Sequence, residues 1–320
     1  MNIFVTGASG FVGGAATREL VAQGHTLRAM SRNAKSDQLI SELGAEPVRC
    51  DLESVRAEQL GDTELVLHCA AYVEPWGPED AWYRGNVIGT RAILDAARRA
   101  GVGRFIHIGT EAALVRGQHL FDADETYDLA PDSPFPYCAT KAQAERLVLK
   151  ANEADFTTIV LRPRLIWGPG DTTLLPVIES MSDKGGWMWI DHGRALTSST
   201  HIDNLVHAIV LALTRGEPGA AYFVLDDGAH TIKYMVSGMA AAKNIGLLDR
   251  SMPAWLADRV GALCEGVWRG LSLQGAPPLT RHAAMVMSRN CVLDDTRARE
   301  QLGYAPVISV EHGMRLLRSG

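Results

Sequence analysis

The chain has 320 residues, 47% hydrophobic and 21% charged, with a formal net charge of −6 and no basic run; this is an ordinary globular composition, large enough for one big core or two lobes sharing an interface, and it argues against nucleic acid as a partner. Five scattered cysteines, odd in number, argue against a disulfide framework and for a reducing, cytoplasmic setting, and ten histidines without ligand spacing argue against a metal. No apolar run of about 18 residues is available to span a membrane, and a fold that begins at Asn2-Ile3-Phe4-Val5 leaves no room for a signal peptide.

Strand-like and helix-like stretches alternate along the first half. Ile3–Thr6 reads as a strand, followed by a helix over about Gly10–Gln23. Thr26–Met30, Pro47–Cys50 and Leu65–Cys69 are further strands. A single helix is expected over about Ala81–Ala100, then a strand at Arg104–Ile108, a helix within Ser133–Asn152 and a strand at Thr158–Arg162. This alternation implies an α/β fold, a doubly wound parallel sheet covered by helices on both faces. After Pro163 the rhythm breaks at Gly168-Pro169-Gly170-Asp171 and Lys184-Gly185-Gly186. A helix over His201–Thr214 and a strand at Ala221–Leu225 return to the sheet. The expected division is a dinucleotide-binding domain from 1–163 with 201–225, and a smaller substrate lobe from 164–200 and 226–320. In that lobe a helix carries Trp255, Leu256, Val260, Leu263, Cys264, Val267, Trp268 and Leu271 on a broad apolar stripe, which suits packing on the body or lining a pocket entrance.

Gly7, Gly10 and Gly13 follow the first strand and open a helix. Glycines there allow a tight turn and close backbone approach to a pyrophosphate, and the helix N-terminus supplies free N–H groups for it. The second strand ends Ser31-Arg32-Asn33, without the acid that would take a ribose 2′-hydroxyl. Arg32 instead suits a 2′-phosphate, so NADP(H) is preferred and NAD(H) is the alternative. Asp51, just past the third strand, is placed to meet the adenine amino group or to cap a turn. Ala70 and Ala71 are small enough for the cofactor to pass.

Tyr137 and Lys141 stand one helical turn apart, on the same face. A free tyrosine titrates at about 10, and a neighbouring ammonium is expected to bring it towards the working range of a base.

These features resemble the extended short-chain dehydrogenase/reductase superfamily. The likeness runs through Thr6–Gly13, Asp51-Leu52, His68-Cys69-Ala70-Ala71 and Asn86-Val87-Ile88-Gly89-Thr90. It continues through Tyr137–Lys141, Leu161-Arg162-Pro163, Thr200-His201-Ile202-Asp203-Asn204 and Gln301-Leu302-Gly303-Tyr304-Ala305-Pro306. Pro136–Ala142 and the ending Leu293–Met314 are most similar to the 3β-hydroxysteroid dehydrogenase-like branch. The resemblance implies hydride transfer with Tyr137, Lys141 and Thr110 as catalytic groups. Thr110 stands where related enzymes often carry several serines, and its structural alternative is a strand-end threonine capping a turn. Asn86 is read as structural support. The cofactor is expected against Gly7, Ser9, Gly10, Phe11, Val12, Arg32, Asp51, Leu52, Ala70, Ala71, Tyr137, Lys141, Pro163 and Ile166. The substrate expected is a small-molecule apolar hydroxy or oxo compound, such as a sterol or a long-chain β-keto compound. Tyr72, Trp76, Trp82, Tyr83, Trp187, Trp189, Trp255 and Trp268 lend this some weight if they line the pocket, though aromatics more often fill cores. A nucleotide-sugar epimerase or dehydratase retaining NAD is the competing reading. Ser198-Ser199-Thr200 replaces the Arg-Asp pair such enzymes tend to carry, and Arg194 has no evident partner motif. The resemblance also implies a homodimer, which the sequence itself does not show.

Overall fold

The computed structural model describes residues 1–183 and 185–319. Seven strands form the central sheet: β1 (Asn2–Thr6), β2 (Thr26–Ser31), β3 (Glu46–Arg49), β4 (Leu65–His68), β5 (Arg104–Ile108), β6 (Thr157–Pro163) and β7 (Ala220–Val224). Their spatial order is β7-β6-β5-β4-β1-β2-β3, and every neighbouring pair is parallel. The expected doubly wound sheet is therefore present. Strand order reverses between β1 and β4, the place where sheets of this kind leave a crevice at their carboxyl ends.

Alternate side chains along each strand serve opposite faces. Ile3 and Val5 pack with Leu67 and Ile106 against Leu20, Leu205 and Ile209 on one face. Phe4, Val66, Phe105 and Val160 pack against Ile93 and Val148 on the other. The covering helices are Phe11–Ala22 and Ile202–Ala212 on the first face, Gly89–Arg99 and Pro136–Lys150 on the second. Both faces are thus dry, which explains why the strands read as apolar runs.

The glycine turn is sterically compulsory at two points. Gly7 has φ +75°, and a Cβ there would stand 2.9 Å from Ala70 N. A Cβ on Gly13 would come within 2.2 Å of Gly7 O.

Three expectations are corrected. The segment read as one helix is an α-turn at Glu79–Trp82, a π-helical stretch at Tyr83–Ile88 and an α-helix at Gly89–Arg99. Leu120–Ala123, unread in the sequence, is a strand that pairs parallel with Cys291–Leu293. It edges a second sheet completed by Leu196–Thr197 and His230–Thr231. In the Ala254–Gly270 helix the fully packed positions are the small ones, Ala257 and Gly261, not the broad stripe. A Cβ on Gly261 would stand 3.0 Å from Arg281 N, so the helix docks closely on its small residues and leaves Trp255, Leu263 and Leu271 exposed. Among the described residues no helix is long and apolar enough to cross a membrane.

Candidate active site

A cleft of ≈ 730 Å³ opens at the carboxyl ends of the central strands. Every residue expected at the cofactor or in catalysis lines it except Lys141, which lies beneath the wall.

At one end the Phe11–Ala22 helix begins at Gly10 with neither a side-chain cap nor an acid in its first turn. The opening N–H groups of a helix lack intrahelical acceptors, so this end suits an anionic pyrophosphate. Gly10 N donates to Gly7 O at 3.0 Å, which closes the turn. Ala70 N donates to Thr6 Oγ1 at 3.1 Å, and Thr6 Oγ1 meets His68 Nδ1 at 2.7 Å. These bonds hold the β1 and β4 ends together beneath the cleft.

Arg32 is exposed at the cleft edge just beyond β2. The nearest acid on the next helix, Asp37, is already engaged: it accepts from Arg49 Nε at 2.9 Å and from Ser31 Oγ at 2.5 Å. Asp51 lines the cleft, but its Oδ1 also caps the turn, accepting from Glu53 N at 2.9 Å and Ser54 N at 3.0 Å. The turn-cap reading of Asp51 is therefore present, at a position on the cleft wall.

At the other end Pro136 opens the helix that carries Tyr137. Lys141, one turn on, is 3% exposed, and its Nζ donates to Ile108 O at 2.9 Å. Burial lowers the ammonium pKa to about 8, with Glu145 and Cys69 opposing. The expected acidified phenol is not found in this form. Burial raises the Tyr137 pKa, Glu111 and the Cys138 thiol add to the rise, and only the Thr110 hydroxyl opposes it. The lysine is committed to a backbone carbonyl, while the nearest strong charge acting on the phenol is negative.

Thr110 lines the cleft and caps a turn, which is its structural reading. Its Oγ1 accepts from Ala112 N at 3.2 Å and donates to Glu111 Oε2 at 2.7 Å. The proton expected to face a substrate oxygen thus rests on Glu111. Glu111 is paired with Arg164 in a buried salt bridge. Arg164 in turn donates from Nε to Thr197 Oγ1 at 2.8 Å and from its backbone N to Thr200 Oγ1 at 3.0 Å. The His282 ring stands edge-on to Tyr137 with centroids 5.8 Å apart. Sequence reasoning passed over Glu111, Arg164 and His282. The signal for the first two was an acid and a base placed directly after Thr110 and Pro163, inside otherwise apolar runs.

Of the aromatics considered for the pocket only Tyr72 lines the cleft. Trp187 and Trp189 pack on each other within a core, centroids 5.1 Å apart. Arg194 is exposed away from the cleft and donates to Asp191 O at 3.1 Å. Asn86, in the π-helical stretch, supports the loop after β4 as expected. Its Oδ1 accepts from Tyr72 N at 2.7 Å, and its Nδ2 donates to Tyr72 O and to Thr140 Oγ1, each at 3.2 Å.

Residues 4–252 match the 3-beta hydroxysteroid dehydrogenase/isomerase family. The chain is 37% identical over 321 residues to 4-hydroxy-2-methyl-3-oxo-4-farnesyl-3,4-dihydroquinoline-1-oxide ketoreductase of Stigmatella aurantiaca, covering 99% of this chain and 96% of that one. It is 35% identical over 329 residues to 2-alkyl-3-oxoalkanoate reductase of Stenotrophomonas maltophilia (strain K279a), covering 100% and 99%. The solved UDP-glucose 4-epimerase of Thermotoga maritima matches with a TM-score of 0.77 at 20% identity, over 100% of this chain and 98% of that one. At that identity the likeness speaks to the fold alone.

Proposed function

Because the chain belongs to the 3-beta hydroxysteroid dehydrogenase/isomerase family and is an NAD(P)-dependent dehydrogenase/reductase acting on CH–OH groups, we propose that it interconverts a ketone and a secondary alcohol on an apolar β-keto or sterol-like substrate. The observation that carries this reading is one cleft lined by an uncapped, glycine-opened helix and by both Tyr137 and Thr110. The two curated relatives, named as a ketoreductase and an oxoalkanoate reductase, favour a β-keto substrate and the reductive direction.

NADP(H) is the preferred cofactor, with its pyrophosphate at the Gly7–Gly13 turn and its 2′-phosphate at Arg32. The adjacent Asp37 is neutralised by Arg49, which leaves Arg32 to set the local charge. A bound nicotinamide supplies the hydride; the protein orients the carbonyl and moves the proton.

Tyr137 donates its phenolic proton to the oxygen as alkoxide character builds. The phenol is protonated at neutral pH, as a donor must be, and its raised pKa is what a nearby positive charge has to offset as the proton leaves. Lys141 turns its ammonium from the Ile108 carbonyl, its partner in this form, towards the negative charge left on the phenol. Thr110 turns its hydroxyl from Glu111 towards the reacting oxygen as that oxygen becomes the stronger acceptor. In this reading residues 1–163 with 201–225 carry the cofactor, and 164–200 with 226–320 form the lobe that closes over the substrate. The nucleotide-sugar reading gains little support, because Arg194 does not reach the cleft.

The test is turnover of the purified protein with NADPH or NADH across a panel of 2-alkyl-3-oxo acids, simple ketones and UDP-sugars. Ketone-dependent oxidation of NADPH is expected. UDP-sugar epimerisation without ketone reduction would reverse the assignment.

A further inference from the structure

The loop after β4 presents one aromatic residue to the cleft, and four separate features hold it there. The Tyr72 backbone is bonded on both its N–H and its C=O by the Asn86 carboxamide, at 2.7 Å and 3.2 Å. The Tyr72 ring stands edge-on to Trp82 with centroids 5.5 Å apart. Two glycines make room for it: a Cβ on Gly85 would come within 2.7 Å of Tyr72 Cβ, and a Cβ on Gly77 within 2.5 Å of its hydroxyl oxygen. The π-helical stretch at Tyr83–Ile88 contains both Gly85 and Asn86. Such stretches are uncommon and cluster at functional sites.

Nothing in the proton chemistry uses Tyr72. Its neighbour Val73 also lines the cleft and is 55% exposed. Arg84, on the same wall, has its charge compensated by Glu53 at 2.9 Å. This part of the wall therefore sets a fixed aromatic residue beside an aliphatic one, with Arg84 paired to Glu53. Rigid, largely apolar walls with a few placed polar groups are what apolar ligands select, and a flat ring offers large contact area at low entropic cost.

We propose that Tyr72, locked by Asn86 and seated on Gly77 and Gly85, is the specificity-determining residue against which the apolar body of the substrate lies. This rests on the ketone-reductase reading above. The residue acts by contact area and not by proton transfer, so its effect scales with the apolar size of the substrate.

The test compares kcat/KM for a long-chain 2-alkyl-3-oxo acid with that for a short ketone, in wild type, Tyr72→Ala and Tyr72→Phe. Tyr72→Ala is expected to lose about tenfold on the long substrate, as one good apolar contact is worth, and less than threefold on the short one. Tyr72→Phe keeps the ring and is expected to restore both. Val73→Asp, at an exposed position that tolerates charge, should discriminate against the long substrate in the same direction and serves if Tyr72→Ala fails to fold. Equal losses on both substrates, or none on either, would overturn the assignment. Wild type that reduces neither ketone would instead overturn the reading on which it rests.

Discussion

Lys141 Nζ donates to the Ile108 carbonyl oxygen at 2.9 Å, which ties the helix of the candidate proton donor to the strand end two residues before Thr110. The bond joins the segments that carry Tyr137 and Thr110 without using either side chain. It also explains how a nearly fully buried ammonium is tolerated: its charge is shared with a backbone dipole and opposed by Glu145 nearby.

That burial makes the lysine a pH-sensitive part of the site. With its pKa lowered to about 8, Lys141 is charged at pH 7 and loses its proton as pH rises through that value. In the proposed mechanism reduction needs the charge, so kcat is expected to be level below about pH 8 and to fall above it. Lys141→Met is expected to be slower by at least about tenfold at pH 7 and to lack the fall. Rate profiles from pH 6 to 10 for both proteins check this.

The proposed preference for NADP(H) rests on Arg32. A charge-assisted contact to a phosphate contributes about 1.5–3 kcal/mol, so Arg32→Ala should raise the KM for NADPH by about tenfold or more and leave that for NADH within about twofold. Steady-state kinetics with both cofactors measure the ratio. An unchanged ratio would move the 2′-phosphate elsewhere.

The glycine turn leaves no space for a methyl group. Gly13→Ala would place a Cβ at 2.2 Å from Gly7 O, against backbone that cannot swing aside. Overpacking costs about 1–3 kcal/mol, and here the upper end is expected, with weakened NADPH binding. Urea unfolding and fluorescence titration of the cofactor measure the two effects.

Much of this architecture was legible because the signals were local. Most of the seven central strands show as apolar runs, since both faces of the sheet are dry there, and the Gly7–Gly13 turn shows because only glycine fits there. What escaped depends on pairing across the chain. Leu120–Ala123 is a short strand with two exposed central residues, and its partner lies at Cys291–Leu293. Tyr83–Ile88 carries helix-compatible residues, so no local pattern announces the wider π-helical turn. In the site, the positions of Tyr137 and Thr110 were readable from spacing and resemblance. Their electrostatics were not: the phenol answers to burial and to Glu111, and the Thr110 proton is held by a carboxylate whose partner, Arg164, is far along the chain.

The central claim is that Tyr137 delivers the proton, and Tyr137→Phe tests it most directly. The variant keeps the ring and the helix start and removes only the hydroxyl. NADPH should bind with a Kd within about twofold of wild type, while kcat for ketone reduction falls by about 100- to 10,000-fold. A Tyr137→Phe protein that binds NADPH normally and reduces the ketone at the wild-type rate would contradict the account.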